Sequence, residues 1–187
     1  MRKIFVLVGP SGSGKTTLGE YLKSLGIPEL VSHTTRRMRK GEIDGVTYHF
    51  INKEEFDSIE KVEYSEYAGN YYCLSKKEVE NKLSKHNRVF AITDINGMKQ
   101  VKEKYPEETI SIFIEVTTNE MINRMMVRGD SEENIAKRIN HAIENGELDN
   151  HKYCDYTIRN DKLYKAKHAL DKIIRLEWFL DSQYTLD

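Results

Sequence analysis

Gly9, Gly14, Lys15 and Thr16 stand at the spacing G-x-x-x-x-G-K-T, directly after the apolar run Ile4, Phe5, Val6, Leu7, Val8 and directly before a run with helical periodicity. Glycines let backbone N–H groups curl round an anion where a Cβ would intrude, and a helix starting near Gly14 aims its positive dipole end at the same point. The cradle expected for a nucleoside triphosphate comprises Gly9, Ser11, Gly12, Ser13, Gly14, Lys15, Thr16 and Thr17. Within it Lys15 reaches the β and γ phosphates, and Thr16 places its hydroxyl on a magnesium ion. A glycine-rich turn with no ligand is disfavoured, because the pattern sits between the strand and the helix that it requires.

A second group of anion-binding residues lies in Glu29 to Gly45, ELVSHTTRRMRKGEIDG, which has almost no apolar content after Val31 and cannot be core. It reads as a solvated loop, a nucleic-acid patch or a small-anion site, and the acids Glu42 and Asp44 argue against nucleic acid. Arg36 and Arg39, beside the hydroxyls of Ser32, Thr34 and Thr35, suit a second phosphate, since guanidinium forks bind phosphate bidentately. A third group follows downstream. Arg124 and Arg128 fall four residues apart on one helical face, and Arg138 lies on the next helix beyond a Gly129-Asp130 hinge. Arg128 and Arg138 would then face one another as uncompensated like charges, which implies an open arrangement in the absence of phosphates.

The elements that must position these groups alternate between strand and helix. The 187 residues suit one domain, and a net charge of −1 on 32% charged residues excludes a global basic field for nucleic acid or a membrane surface. Cys73 and Cys154 are too few and too far apart to indicate a disulfide framework or a zinc site. The opening apolar run, only about six residues, is too short for a signal-peptide core or a membrane span, so a cytoplasmic protein is expected. After the first strand and helix, which stops at Gly26, the stretch Val46 to Ser75 reads as a small antiparallel insert. It comprises VTYHF, a brief helix over Lys53 to Ile59, and VEYSEYAGNYYCLS with a Gly69-Asn70 turn. Ser75 and Glu78 form a capping-box signature. Arg88 to Asp94 and Thr109 to Val116 continue the parallel sheet, with a helix over Met98 to Lys104 between them. Thr118 to Val127 is helical, and a further helix opens at Asp130 with Glu133 in the capping position. After a short strand, Asp155 to Ile158, Asn160 or Asp161 caps a last helix whose apolar stripe is Leu163, Ala166, Leu170, Ile173 and Ile174, with Trp178 and Phe179 completing the packing.

Three stretches, GPSGSGKTTL, SHTTRRMRKGEIDGVTYHF and RMMVRGDSEENIAKR, resemble those of guanylate kinases, and the resemblance covers nearly the whole chain. The first is shared by many triphosphate-binding proteins, whereas the second is specific to the family. The resemblance implies an α/β fold. Its P-loop NTPase core has a parallel sheet flanked by helices (1–31, 86–123 and 148–187), joined by a small mixed α/β monophosphate-binding insert (32–85) and a helical lid (124–147). It implies in-line transfer of the ATP γ-phosphoryl to GMP or dGMP with Mg²⁺, in a monomer or homodimer with no nucleic-acid or membrane partner. Lys15, Arg128 and Arg138 then carry the catalysis, and Arg124 and Asn160 join the ATP side. Arg36, Arg39, Tyr48 and Tyr72 grip the acceptor phosphate with Glu42 in the same site, while Ser32, Glu66 and Asp94 read guanine. Phosphoryl transfer needs no general base here, since the acceptor phosphate is already largely ionised. The work lies in gathering cations round two polyanions where water is excluded. A carboxylate can accept from the N1–H and the exocyclic amine of guanine together, which adenine cannot offer.

The chain also departs from the family pattern. Cys73 and Leu74 follow Tyr72 where a glycine and a guanine-contacting serine or threonine are usual, which leaves Ser75 as the nearest substitute hydroxyl. Ile92 replaces an aspartate near the metal, and the turn at Ala68–Gly69 reads as shorter than the family's. Each lost hydrogen bond is worth about 1–3 kcal/mol. Two other functions therefore stay open: a kinase of the ribose-1,5-bisphosphate type, and a non-catalytic guanylate-kinase-like module that binds phosphorylated proteins. Glu66 with the intact SHTTR and TYHF stretches speaks against the first, and the complete triphosphate loop against the second.

Overall fold

In the computed structural model, which describes residues 2–67 and 69–183, the elements run β1 (Lys3–Val8), α1 (Lys15–Ser24), β2 (His33–Thr34), β3 (His49–Phe50), α2 (Lys53–Ser58), β4 (Lys61–Tyr67), β5 (Asn70–Ser75), α3 (Lys76–Leu83), β6 (Arg88–Ile92), α4 (Ile95–Lys104), β7 (Thr109–Glu115), α5 (Thr118–Val127), α6 (Glu132–Glu144), a 3-10 turn (Glu147–Tyr153), β8 (Tyr156–Arg159) and α7 (Leu163–Gln183). Strand β1 is apolar from Ile4 to Val8 because both of its faces are covered there. It pairs in parallel with β6 on one side and β7 on the other, and β8 extends the sheet beyond β7. Its residues alternate between two cores. Ile4, Val6 and Val8 pack with Val79, Met98 and Val101, and Phe5 and Leu7 with Leu18, Leu22, Ala166 and Leu170. The carboxyl ends of β1 and β6 lead into the residues that line the cleft described below, as expected for an open parallel sheet.

A second sheet, ordered β3-β2-β5-β4, is mixed rather than wholly antiparallel, since β2 and β3 run parallel. The strand expected over VTYHF is reduced to His49–Phe50. A turn takes the rest: the Gly45 N–H donates to the Tyr48 carbonyl (2.8 Å), the Ile43 N–H to Thr47 Oγ1 (3.1 Å) and the Phe50 N–H to Asp44 Oδ1 (2.9 Å). Ala68 lies outside the described residues, and with it the length expected of the turn there. Helices α5 and α6 share a small core of their own, formed by Val116, Met121, Met125, Ile135 and Ala142.

Several helix ends differ from expectation. Helix α6 is capped by Ser131, whose Oγ accepts from the Asn134 N–H, because Asp130 is occupied by Arg128. Half of the capping box at α3 forms: Ser75 accepts from the Glu78 N–H, but the Glu78 carboxylate turns away to the Val31 N–H (3.0 Å) and ties α3 to the end of the first loop. Asn160 is buried against the phosphate loop and, among the described residues, Asp161 accepts only from the adjacent Lys162 N–H, so neither caps α7 as expected. Trp178 and Phe179 are 61% and 59% exposed, because α7 outruns the core it covers. The Arg88 guanidinium lies over the Trp178 ring, 4.2 Å from its centroid. No helix among the described residues is long and apolar enough to cross a membrane.

Candidate active site

The loop between β1 and α1 is shaped by close approach. A Cβ at Gly9 would sit 2.7 Å from the Ile114 carbonyl oxygen, and one at Gly14, whose φ is +95°, would run into the Asn160 amide. The carbonyls of this loop are held from behind. Arg124 Nη1 donates to the Gly12 and Ser13 oxygens (3.3 and 3.1 Å), Arg124 Nη2 to the Asn160 carbonyl, and Asn160 Nδ2 to the Ser13 oxygen (2.8 Å). Lys15 Nζ donates to the Gly9 and Pro10 oxygens (2.5 and 3.0 Å). Burial lowers the Lys15 pKa to about 8, against the pull of Glu147 and Asp94. The buried Ser13 Oγ and Asn160 Oδ1 have no hydrogen-bond partner among the described residues. Thr16 and Thr17 are exposed on the first turn of α1. Among the described residues no group of three or more His, Cys, Asp or Glu side chains is arranged to hold a metal ion. A Mg²⁺ that keeps its waters and binds chiefly through phosphates needs less than that, and the exposed Thr16 hydroxyl beside Lys15 fits it.

Arg138 comes to the same loop, its Nη1 3.3 Å from Ser11 Oγ. Arg128 does not. It is bound to Asp130, so the uncompensated pair of arginines expected from the sequence is absent. The second arginine loop is organised by Glu42, whose carboxylate takes Arg36 Nη1 and Nη2 (3.0 and 2.7 Å) and the Arg39 N–H (2.7 Å). That pairing raises the Arg36 pKa and lowers that of Glu42. The Tyr48 and Phe50 rings flank the Arg36 guanidinium at 5.5 and 5.7 Å, and Tyr48 meets Tyr72 edge-on at 5.8 Å. The Arg39 side chain is exposed.

A cleft of about 800 Å³ joins these parts. Gly9, Ser11 and Lys15 line it at one end and Ser32, Tyr48 and Tyr72 at the other, with Asp94 and Ile92 between them. Asp94 caps α4, its Oδ1 accepting from the Gly97 N–H at 2.8 Å. Sequence reasoning missed Glu63, Ser65, Lys99, His141 and Glu147, all of which line the cleft. Glu63 is the outstanding member. It is 5% exposed, its Oε2 has no partner among the described residues, and burial with help from Asp94 raises its pKa to about 7.

Glu66 reaches the cleft only as an exposed residue. Its Cα lies opposite Tyr71, whereas Ser65 lies opposite Tyr72 and Glu63 opposite Leu74. Strand alternation therefore puts Glu63 and Ser65, not Glu66, on the Tyr72 side of the hairpin. The departures also have definite places. Leu74 is 1% exposed in the core, and Ser75 is spent on capping α3, so Ser75 does not substitute for the missing hydroxyl.

Comparison with known proteins agrees with the geometry. Residues 1–177 match the sequence profile of the family described as guanylate kinase. A guanylate kinase of Wolinella succinogenes is 41% identical over 182 residues, covering 92% of this chain and 83% of that protein. One of Vibrio vulnificus is 37% identical over 183 residues, covering 93% and 87%. The crystal structure of guanylate kinase from Anaplasma phagocytophilum superposes with a TM-score of 0.71 at 28% identity, covering 94% of this chain and 86% of that one.

Proposed function

The chain belongs to the guanylate kinase family, and we propose that it is a cytoplasmic enzyme that transfers the γ-phosphoryl of ATP in line to GMP or dGMP. The observation that carries this is one cleft lined both by the phosphate loop with Lys15 and by the buried Glu63 carboxyl with Tyr48 and Tyr72. A polyanion at the first end meets inward-facing loop amides, since the loop carbonyls are tied down by Arg124, Asn160 and Lys15. Arg138, already at Ser11, follows the phosphates, while Arg128 joins them by exchanging Asp130 for a phosphoryl oxygen. Thr16 would hold Mg²⁺, which when bound spreads the charge of the β and γ phosphates. Arg36, Arg39, Tyr48 and Tyr72 grip the acceptor phosphate, and Glu42 keeps the two arginines in register.

The base lies against Ser32, Asp94 and Glu63. A carboxylate at Glu63 accepts from guanine N1–H and the 2-amine, a pair of donors that adenine lacks. In this reading the sheet of β1, β6, β7 and β8 is the core, residues 32–85 the acceptor-binding insert and 124–147 the lid, in a monomer or homodimer. A panel assay of ADP release with GMP, dGMP, AMP, UMP and ribose 1,5-bisphosphate tests it. GMP or dGMP should lead by at least about a hundredfold in kcat/KM over AMP, and a lead for the bisphosphate would replace the reading.

A further inference from the structure

Glu63 sits in an environment with nothing to balance its charge. The Leu74 N–H donates to its carboxyl, but Oε2 is buried without a partner among the described residues and the Asp94 carboxylate adds like charge beside it. Every neighbouring cation is engaged elsewhere. Lys61 Nζ donates to the Ile59 carbonyl (2.9 Å), Lys99 Nζ lies over the Tyr153 ring at 4.3 Å, and Lys15 is bound to the Gly9 and Pro10 oxygens. The Cys73 thiol on β5 is pushed up to about 12 by burial and stays neutral. Asp94 accepts from the Gly97 N–H at the head of α4, whereas no such donor reaches Glu63 Oε2 among the described residues, and Glu63 is the carboxyl placed to take up a proton.

We propose that Glu63 carries this proton in the free protein and gives it up to solvent when guanine binds, so that solution pH sets the choice between guanine and adenine monophosphates. The inference rests on the reading that Glu63 faces the base. Ionised, the carboxylate offers two acceptors, which match the two donors of guanine. Protonated, it offers one donor and one acceptor, which match N1 and the 6-amine of adenine. Guanine thus binds the form that exists at higher pH, and adenine the form that exists at lower pH.

The test is the ratio of Kd for AMP to Kd for GMP, measured calorimetrically on the full chain without donor nucleotide at pH 6 and pH 8. The two nucleotides share the same titrating phosphate, so its contribution cancels. The wild-type ratio should fall by at least about tenfold on going from pH 8 to pH 6. Glu63→Gln, an amide with one donor and one acceptor, should show a small ratio that does not change with pH. A constant wild-type ratio beside a Glu63→Gln variant that has lost its preference for GMP overturns the proposal and leaves the base-reading role standing. A Glu63→Gln variant with the wild-type preference overturns both. Should that variant fail to fold, the wild-type ratio decides alone.

Discussion

Arg128 closes on Asp130, two residues along the chain, through Nε at 3.1 Å and through Nη2. The guanidinium holds the Asp130 carboxyl below the usual range, so the pair persists at neutral pH. Repulsion between Arg128 and Arg138 is therefore not what would hold α5 and α6 away from the phosphate loop. Asp130 competes with any phosphate for Arg128. Asp130→Ala is expected to lower the KM for ATP by roughly three- to tenfold with kcat retained. Initial-rate kinetics decide the point, and a rise in KM would make Asp130 a positioning residue instead.

Glu42 ties two arginines of the acceptor loop to one carboxylate, Arg36 through its side chain and Arg39 through its backbone. Glu42→Gln puts an amide donor against one of those donors. The KM for the monophosphate should rise by about tenfold while that for ATP and kcat change little. Equal rises in both KM values would separate this loop from the acceptor.

Lys15 combines the function proposed for it with a penalty. Its folded pKa of about 8 lies below the ordinary lysine value of 10.5. The unfolded chain therefore binds more protons between these values, and the stability of the free protein should rise with pH across that window. Lys15→Met should abolish turnover and, at pH 7, stabilise the nucleotide-free protein by on the order of 1–3 kcal/mol. Thermal unfolding at pH 7 and pH 9 tests both the gain and its shrinkage at the higher pH.

Leu74 stands where the family usually has a guanine-contacting hydroxyl and Ser75 is the nearest substitute, but Leu74 lies in the core and Ser75 caps α3. Leu74→Ser creates a cavity and buries a hydroxyl, so a loss of about 2–4 kcal/mol is expected, with no gain in GMP use. Ser75→Ala removes a helix cap worth about 1 kcal/mol and should leave base selectivity unchanged. Chemical denaturation together with the GMP-to-AMP ratio of kcat/KM measures both effects.

The phosphate loop and the parallel sheet were legible in the sequence because their signals are local: an apolar run, glycines at fixed spacing, a helical period. Glu63, the carboxyl proposed above to read the base, was missed in the sequence, although its signal was present. Counting back from the Gly69-Asn70 turn puts Ser65 opposite Tyr72, and two residues further along the same face stands Glu63. Glu66, the residue expected from the sequence, lies opposite Tyr71 and lines the same cleft as an exposed residue. The parallel pairing of β2 and β3 had no local signal, since it depends on where the chain returns after the arginine loop. The exposure of Trp178 and Phe179 depends on how far the sheet extends beneath α7, which a helical stripe alone does not reveal.

Helix α6 is bounded by Gly129 and Gly146, both with left-handed backbone (φ of 88° and 61°) and both with open space where a Cβ would go. Helix α5 is pinned to the phosphate loop by Arg124, so a swing of the proposed lid would begin after Arg124 and turn on the two glycines. Helix α6 would then behave as a crank arm between two swivels. Besides the apolar core it shares with α5, two side-chain contacts among the described residues hold it, Arg138 on Ser11 at 3.3 Å and His141 on Glu147 at 3.1 Å. The second joins the arm to its own far swivel and resists twisting, whereas the first spans the gap. Phosphate arriving at the loop would replace Ser11 as the partner of Arg138, so the ligand itself becomes the bolt.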